Sequence, residues 1–464
     1  MKTNEVSGLN FTERLSNFVS ETRYEDIPSD CIEMAKLCVL DFLGVSLLGS
    51  REPISRILYS FVEKIGGSAE STVIGYGKKS SVLNTALANG TFGHALDFDD
   101  DSSIGAGHLT SCVAPALLAL AEKMGKTGKD ILLSFVLGYE VASVIAIAVE
   151  PKQTQSGWHA TSTIGTFGSA AAAANLMGLK EKEIACTFGI AATQASGLRR
   201  SFGTMCKPLH VGKAAQRGVE SCLLAQMGFT GDKNIFEGKW GFIEVFSGGI
   251  FDLNINELTY RLRKQFLIRE NWFKPYPACG CTHSAIDAAI YLRHQYEINP
   301  MEIEVIEVGV LPVAFDTLIY NNPKNPYEAK FSMPFCVSVA LMEGSLSNNE
   351  FSSSKLENPS LLQLMKRVVM YIDPDLIEGG YRGTNSASLR IKLKNGNTLA
   401  KKVLAPQGHP RNPLSTNALI GKYKDCTRSV LSIEQVESSL DFVMNLEKMD
   451  EVEPLMKSMK TIEF

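Results

Sequence analysis

The chain has 464 residues, more than one ordinary hydrophobic core accommodates, and its length suggests roughly two to four domains. Hydrophobic residues make up 45% and charged residues 21%, with a formal net charge of -4, so nothing in the balance favours nucleic acid or an anionic membrane as partner. The ten cysteines are irregularly spaced, several of them (Cys38, Cys112, Cys186, Cys222) inside apolar helical patterns. That usage belongs to reduced thiols rather than to a disulfide framework, and with no apolar leader after Met1 it gives a cytoplasmic expectation.

In chain order, Asp30 is placed to cap a helix in which Cys31, Ala35, Cys38 and Phe42 recur at helical spacing, with Gly49 near its end. A second helical run covers Thr110 to Met124. The apolar stretch Ile131 to Val149 is interrupted by Ser134, Gly138, Tyr139 and Glu140, and reads as a buried core helix rather than a membrane span. Ser162 to Met177 is dominated by Ala, Gly and Ser, which let helix backbones approach closely, so it is expected at the centre of a packed bundle. Met124-Gly125, Met177-Gly178 and Met227-Gly228 each close an apolar helix where glycine can supply a left-handed cap. These three read equally well as a stack of helical hairpins or as coincidence of common capping residues.

Beyond about residue 270 the texture changes. Ile303 to Val313 reads as a strand. Ser388 to Lys394 alternates apolar and charged residues, meets Asn395-Gly396, and resumes at Thr398 to Val403, a hairpin pattern whose turn is expected to need positive φ at both central residues. Helical pattern lies between, around Phe331 to Met342 and Ser360 to Met370, and again from Pro413 onward. The expectation is therefore a mainly α chain: a large all-helical domain, residues 1–269 plus 406–464, with a smaller α+β lid domain, residues 270–405.

Five of the seven histidines fall in four unusual local settings. His94 is followed by Asp97, Asp99, Asp100 and Asp101, and then by Gly107-His108. Such clustered carboxylates repel one another, and could hold a divalent metal, position a histidine or form a solvated acidic loop. His159 follows Gly157-Trp158 at a helix start, where a half-buried structural histidine is the plain alternative. Lys207-Pro208-Leu209-His210 lies in an apolar neighbourhood, as an anion site or an ordinary surface lysine. The last setting is Lys274-Pro275-Tyr276-Pro277-Ala278-Cys279-Gly280-Cys281-Thr282-His283. A zinc site at Cys279, Cys281 and His283 is disfavoured, because alternate spacing crowds three ligands and no C-x₂-C pair occurs elsewhere. Phosphate-loop, dinucleotide and nucleophile-elbow motifs are absent from the sequence. Histidines, lysines and one carboxylate cluster suit proton transfer on an anionic substrate.

Together these segments resemble the MmgE/PrpD family, which includes 2-methylcitrate dehydratase, cis-aconitate decarboxylase and an iminodisuccinate epimerase. The resemblance rests on Leu40-Asp41-Phe42-Leu43-Gly44, His94-Ala95-Leu96-Asp97-Phe98-Asp99-Asp100, Gly157-Trp158-His159, Lys207-Pro208-Leu209-His210-Val211-Gly212-Lys213, Lys274-Pro275-Tyr276-Pro277 with His283, Phe331-Ser332-Met333-Pro334-Phe335 and Pro410-Arg411-Asn412-Pro413. It implies a homodimeric lyase acting on a small di- or tricarboxylic acid without metal or organic cofactor. It implies Asp97, His108, His159, Lys207 and His283 as the catalytic set, with Lys274 and Tyr320 binding substrate. In this scheme the cations hold a carboxylate, His108 or His159 exchanges a proton, and Asp97 orients an imidazole. Decarboxylase and dehydratase members tend to read His-Pro where this chain has His108-Leu109, so an epimerase is the alternative. A non-catalytic carboxylate-binding protein is a further one, which would need the cations but not the acid–base set.

Overall fold

A computed structural model describes residues 10–249, 255–378 and 385–461. The protein is mainly α-helical, with a small sheet region.

The helical part is built on close backbone approach. The Ala160–Leu176 helix is buried along nearly its whole length and packs against the Leu109–Met124, Gly128–Val149 and Cys206–Gln226 helices. A Cβ added at Gly138 would sit 2.6 Å from the Gly168 carbonyl and 2.7 Å from Ala172 Cβ, so that crossing admits no larger residue. Gly90 of the Val82–His94 helix meets Gly212 of the Cys206–Gln226 helix in the same way, a Cβ at Gly90 falling 2.9 Å from Gly212 Cα. The Gly128–Val149 helix is long and apolar enough to cross a membrane, but its side chains are almost all buried against these neighbours. The Met-Gly helix ends have the anticipated geometry, with Gly125 (φ 60°), Gly178 (φ 70°) and Gly228 (φ 90°) in positive-φ conformations.

Asp30 does not cap its helix. The Ser29–Gly49 helix starts after Pro28, and Asp30 sits inside the first turn, where its carboxylate pairs with Arg269 at 2.6 Å. A carboxylate there still complements the helix dipole.

A second hydrophobic cluster begins at Tyr276, whereas Phe273 still packs with the helical one. It surrounds a four-stranded sheet in the order Val368–Ile372, Ile303–Val310, Ala387–Leu393, Thr398–Val403. The first pair is parallel and the others antiparallel. Three elements differ from the sequence pattern. The strand expected to run to Val313 stops at Val310, because Pro312 opens a short helix, Pro312–Thr317. The Ser360 to Met370 run is a short helix, Pro359–Met365, followed by the edge strand Val368–Ile372, because Val368-Val369 β-branching and parallel pairing override the helical spacing. The Asn395-Gly396 turn carries positive φ at Gly396 alone (89°). Leu393 pairs with Asn397 and accepts the Gly396 N–H, so the connection is a three-residue loop ending in a left-handed glycine. The Thr416–Thr427 and Ile433–Met444 helices return to pack on the Ser29–Gly49 helix, where Leu419 and Tyr423 join the helical core.

Candidate active site

The chemically interesting side chains sit at helix ends. His94 closes the Val82–His94 helix, His108 and His159 immediately precede the Leu109–Met124 and Ala160–Leu176 helices, and Lys207 lies in the first turn of Cys206–Gln226. Three helix N-termini thus gather here, each adding positive potential where an anion could rest. Lys274, His283 and Lys330 come from segments that flank the second cluster.

Asp97 is the hub. It is one of four non-glycine residues described with positive φ (53°), and that backbone turns its carboxylate inward, where it is only 4% exposed. Asp97 Oδ2 lies 2.9 Å from Lys207 Nζ; Oδ1 accepts from Lys274 Nζ, which also donates to the Asp97 carbonyl at 2.6 Å. Burial would raise the Asp97 pKa, but Lys207 and Lys274 hold it well below the usual carboxylate range. The nearest imidazole nitrogen is His108 Nε2 at 3.8 Å. Asp97 therefore spans two ammonium groups instead of orienting a histidine as anticipated.

The imidazole-orienting carboxylate is Asp99. It accepts from His94 Nδ1 at 2.8 Å and lies 3.3 Å from His108 Nδ1, which also meets the Asp100 carbonyl at 2.8 Å. His94 and His108 face each other with ring centroids 4.3 Å apart, yet their charge states are driven apart. Burial pushes the His94 pKa down to about 3, with Asp99 opposing and Lys207 adding to the fall. For His108 burial also opposes charge, but Asp99 and Asp101 outweigh it and raise the pKa above the ordinary histidine value. Opposed neighbouring environments of this kind divide an acid from a base.

His159 is neutral by the same physics. Burial, Lys207 and His210 push its pKa well below the ordinary value, and burial with Lys207 lowers His210 to about 4. The two share one proton between Nδ1 atoms 3.1 Å apart. Phe202 stands edge-on to the His159 ring at 4.9 Å. Phe202 and Phe331 also flank Lys207 Nζ, 5.4 and 5.3 Å from their ring centroids, and make a dry wall for the ammonium.

Lys330 is a third buried lysine. Its Nζ donates to the Pro277 carbonyl at 2.9 Å, and burial brings its pKa down to about 8 although Asp97 and Glu52 pull it up. His283 is fully buried between Trp272 and Tyr276, its Nε2 at 3.1 Å from the Ala278 carbonyl. Burial and Lys274 push its pKa down to about 3, and its Nδ1 has no hydrogen-bond partner among the described residues.

Asp97, His108, Lys207 and Lys274 are thus in mutual contact or nearly so; His159 and His283 adjoin them through Lys207 and Lys274. Tyr320 stands one layer back, donating to the Phe202 carbonyl at 2.7 Å and packing on Gly203. The catalytic and substrate-binding set expected from the resemblance leaves out His94, Asp99, His210 and Lys330. The signal available was local: His94 and Asp99 belong to the acidic segment already noted, and Lys330 immediately precedes Phe331-Ser332-Met333-Pro334. Among the described residues, only His94, Asp99 and His108 bring three ligand-type atoms within 4.8 Å of one another. Those atoms already satisfy each other through hydrogen bonds, and the Lys207 ammonium bonds His94, so the trio is a proton-sharing set and a poor fit for a cation.

What this arrangement can do is hold an anion between desolvated ammonium groups while presenting one imidazole biased toward its charged form, His108, among others held neutral. Comparison with known proteins fits that picture. A model of the MmgE/PrpD N-terminal domain matches residues 13–254, and one of the MmgE/PrpD C-terminal domain matches residues 276–448. The chain is 27% identical to the cis-aconitate decarboxylase of Homo sapiens, covering 97% of this chain and 94% of that one. It is 29% identical to the Mus musculus enzyme of that name (97% and 93%) and 26% to that of Aspergillus terreus (98% and 96%). With one family model spanning more than half its length and a second covering most of the remainder, the chain belongs to the MmgE/PrpD family.

Proposed function

We propose that this protein is a cofactor-free lyase that decarboxylates a small unsaturated tricarboxylic acid of the cis-aconitate type. The observation that carries this reading is the convergence of Lys207, Lys274 and Lys330 around the single carboxylate Asp97, beside imidazoles of opposite protonation. The excess of cationic charge matches a substrate with more than one carboxylate, and a dry setting strengthens every such contact. The full-length similarity to three decarboxylases supports the same reaction.

Loss of carbon dioxide breaks a carbon–carbon bond and leaves its electron pair on the substrate. Delocalised toward a neighbouring carboxylate, that pair is stabilised by the ammonium groups, and a proton must then reach carbon. His108, held protonated by Asp99, is the donor in this reading, and neutral His159 relays the solvent proton that restores it. Proton NMR in heavy water tests it with cis-aconitate, 2-methylcitrate and iminodisuccinate offered separately. Release of carbon dioxide from cis-aconitate, with one deuterium entering the product, is the expected result. Dehydration of 2-methylcitrate, or deuterium exchange into iminodisuccinate without mass loss from the skeleton, would replace it with a dehydratase or an epimerase.

A further inference from the structure

One buried ion pair lies behind the site and touches none of the groups assigned to substrate. Lys422, on the Thr416–Thr427 helix, places Nζ 2.6 Å from Asp41 Oδ1 and donates to the Phe98 carbonyl at 2.7 Å. Asp41, on the Ser29–Gly49 helix, accepts the Asp100 backbone N–H with Oδ2 at 3.1 Å. The two side chains are only 9% and 1% exposed. Phe98 and Asp100 are the residues on either side of Asp99. Beyond them, the Asp100 side chain is held by Thr110 at 2.6 Å and Asn271 at 2.8 Å, and its carbonyl accepts from His108 Nδ1.

Burying an ion pair costs desolvation that the attraction often barely offsets, so stability alone is a weak reason to place one here. The loop it serves has a stronger need. Asp97, Asp99, Asp100 and Asp101 crowd four carboxyl groups into five residues; burial and Asp41 push the Asp100 pKa up to about 8, and repulsion among the other three favours an open loop. Lysines and imidazoles restrain it on the substrate side; on the opposite side Lys422 is the ammonium in contact with both the loop and Asp41.

We propose that Lys422 and Asp41 are positioning residues that clamp the loop on both sides of Asp99, and so hold Asp99 and the Asp100 carbonyl against His108. The inference rests on His108 serving as proton donor, as read above. Two segments far apart in sequence, one near each end of the chain, thereby set the geometry of one imidazole. The charged and titratable groups facing His108 are Asp97, Asp99 and Asp101 from the loop, His94 from its helix end, Lys274 from the segment after Trp272, and His159. With the clamp removed, Asp99 moves off His108 and the imidazolium loses its nearest counter-charge.

The test compares wild type, Lys422→Met and Lys422→Arg in two measurements: steady-state kinetics on cis-aconitate, and titration of His108 in protein labelled with ¹⁵N-histidine. In Lys422→Met, kcat is expected to fall about 10²-fold, the scale of an ångström-sized misplacement, with KM nearly unchanged because the substrate lysines remain. The His108 midpoint is expected to move down, and Lys422→Arg to recover most of both. A folded Lys422→Met protein with the wild-type kcat and His108 midpoint, altered only in melting temperature, overturns the clamp. If wild type itself does not turn over cis-aconitate, the functional reading fails and the His108 midpoint alone decides: a fall supports the clamp and constancy overturns it. Should Lys422→Met not fold, the double variant Lys422→Met/Asp41→Asn leaves no unpaired buried charge, and the same two outcomes apply.

Discussion

The His94 imidazole and the Lys207 ammonium are in direct hydrogen-bond contact, and the bond requires His94 Nε2 to carry no proton. Because Nδ1 points at Asp99, that nitrogen holds the single proton and donates it. His94 is therefore a neutral spacer that transmits the Asp99 charge toward Lys207 and is unsuited to donating a proton itself. Its ¹⁵N resonances should show one fixed tautomer from pH 5 to 9. The sign for stability follows from a folded pKa of about 3 against an unfolded value near 6.5: the folded state binds fewer protons, so stability is lost as pH falls through that window. A His94 that titrated near pH 6.5 would remove this assignment.

Lys207, His159 and Asp97 should separate kinetically. Lys207→Met removes a compact charge from the anion site, raising KM and lowering kcat/KM. His159→Gln should lower kcat by about 10²–10⁴-fold, the usual contribution of a general acid or base. Asp97→Asn is the informative change at the hub, since asparagine tolerates the left-handed backbone and only the charge is lost. Asp97 also pulls the Lys330 pKa up, so with its charge gone the alkaline loss of activity should move to lower pH. Melting temperatures measured on the same variants separate these effects from simple unfolding; a stable His159→Gln protein with full activity would sink the mechanism.

Lys330 gives a prediction at the alkaline end. If its ammonium helps to hold substrate, kcat/KM should decline as pH passes about 8, where it loses its proton. The stability effect has the opposite sense: the folded pKa lies below the unfolded value, so the folded state binds fewer protons and stability rises with pH between the two. Lys330→Met should abolish the alkaline limb and raise KM. Persistence of the same limb in that variant would assign it to another group.

The small-residue helix should not tolerate growth. Ala172 is fully buried and faces Gly138 across the crossing, so Ala172→Leu is expected to cost about 1–3 kcal/mol by overpacking. Urea or thermal unfolding measures it directly, and an unchanged midpoint would be incompatible with the packing described.

Turnover should survive EDTA and exhaustive dialysis, because the one group with metal-like spacing among the described residues is already satisfied by its own hydrogen bonds. Loss of activity on chelation with recovery on adding zinc would reopen Cys279, Cys281 and His283 as ligands.

Much of this architecture was legible in the sequence where local chemistry and tertiary context agree. The Ala-rich run is central because only small residues allow such helix contacts, and the Met-Gly ends are caps because glycine alone takes that backbone cheaply. The family resemblance, carried by short segments along the chain, is likewise met by both domain models. Failures came where context overrides pattern. Val368–Ile372 carries a helical period but pairs in parallel with Ile303–Val310, a partner some sixty residues away that no local window contains. At the site, the family resemblance pointed to Asp97, Lys207 and Lys274 but not to who bonds whom. Asp97 and Asp99 are two residues apart and chemically identical, and only the positive φ at Asp97 sends one carboxylate to lysines and the other to imidazoles. Lys330 escaped notice because a lone lysine carries no motif, and its burial is a property of the assembled fold.

The meeting of Gly90 and Gly212 has a reach beyond packing. His94 lies four residues along one helix from that crossing and Lys207 five residues along the other, about 6 and 7.5 Å at a rise of 1.5 Å per residue. The crossing is a fulcrum roughly one turn from each. A single methyl at Gly212, whose Cβ would fall 2.2 Å from the Leu87 carbonyl, pries the helices apart at the pivot and so lengthens the His94–Lys207 gap at the tips. The proton arrangement of the site is thus gauged by two residues that have no side chain at all.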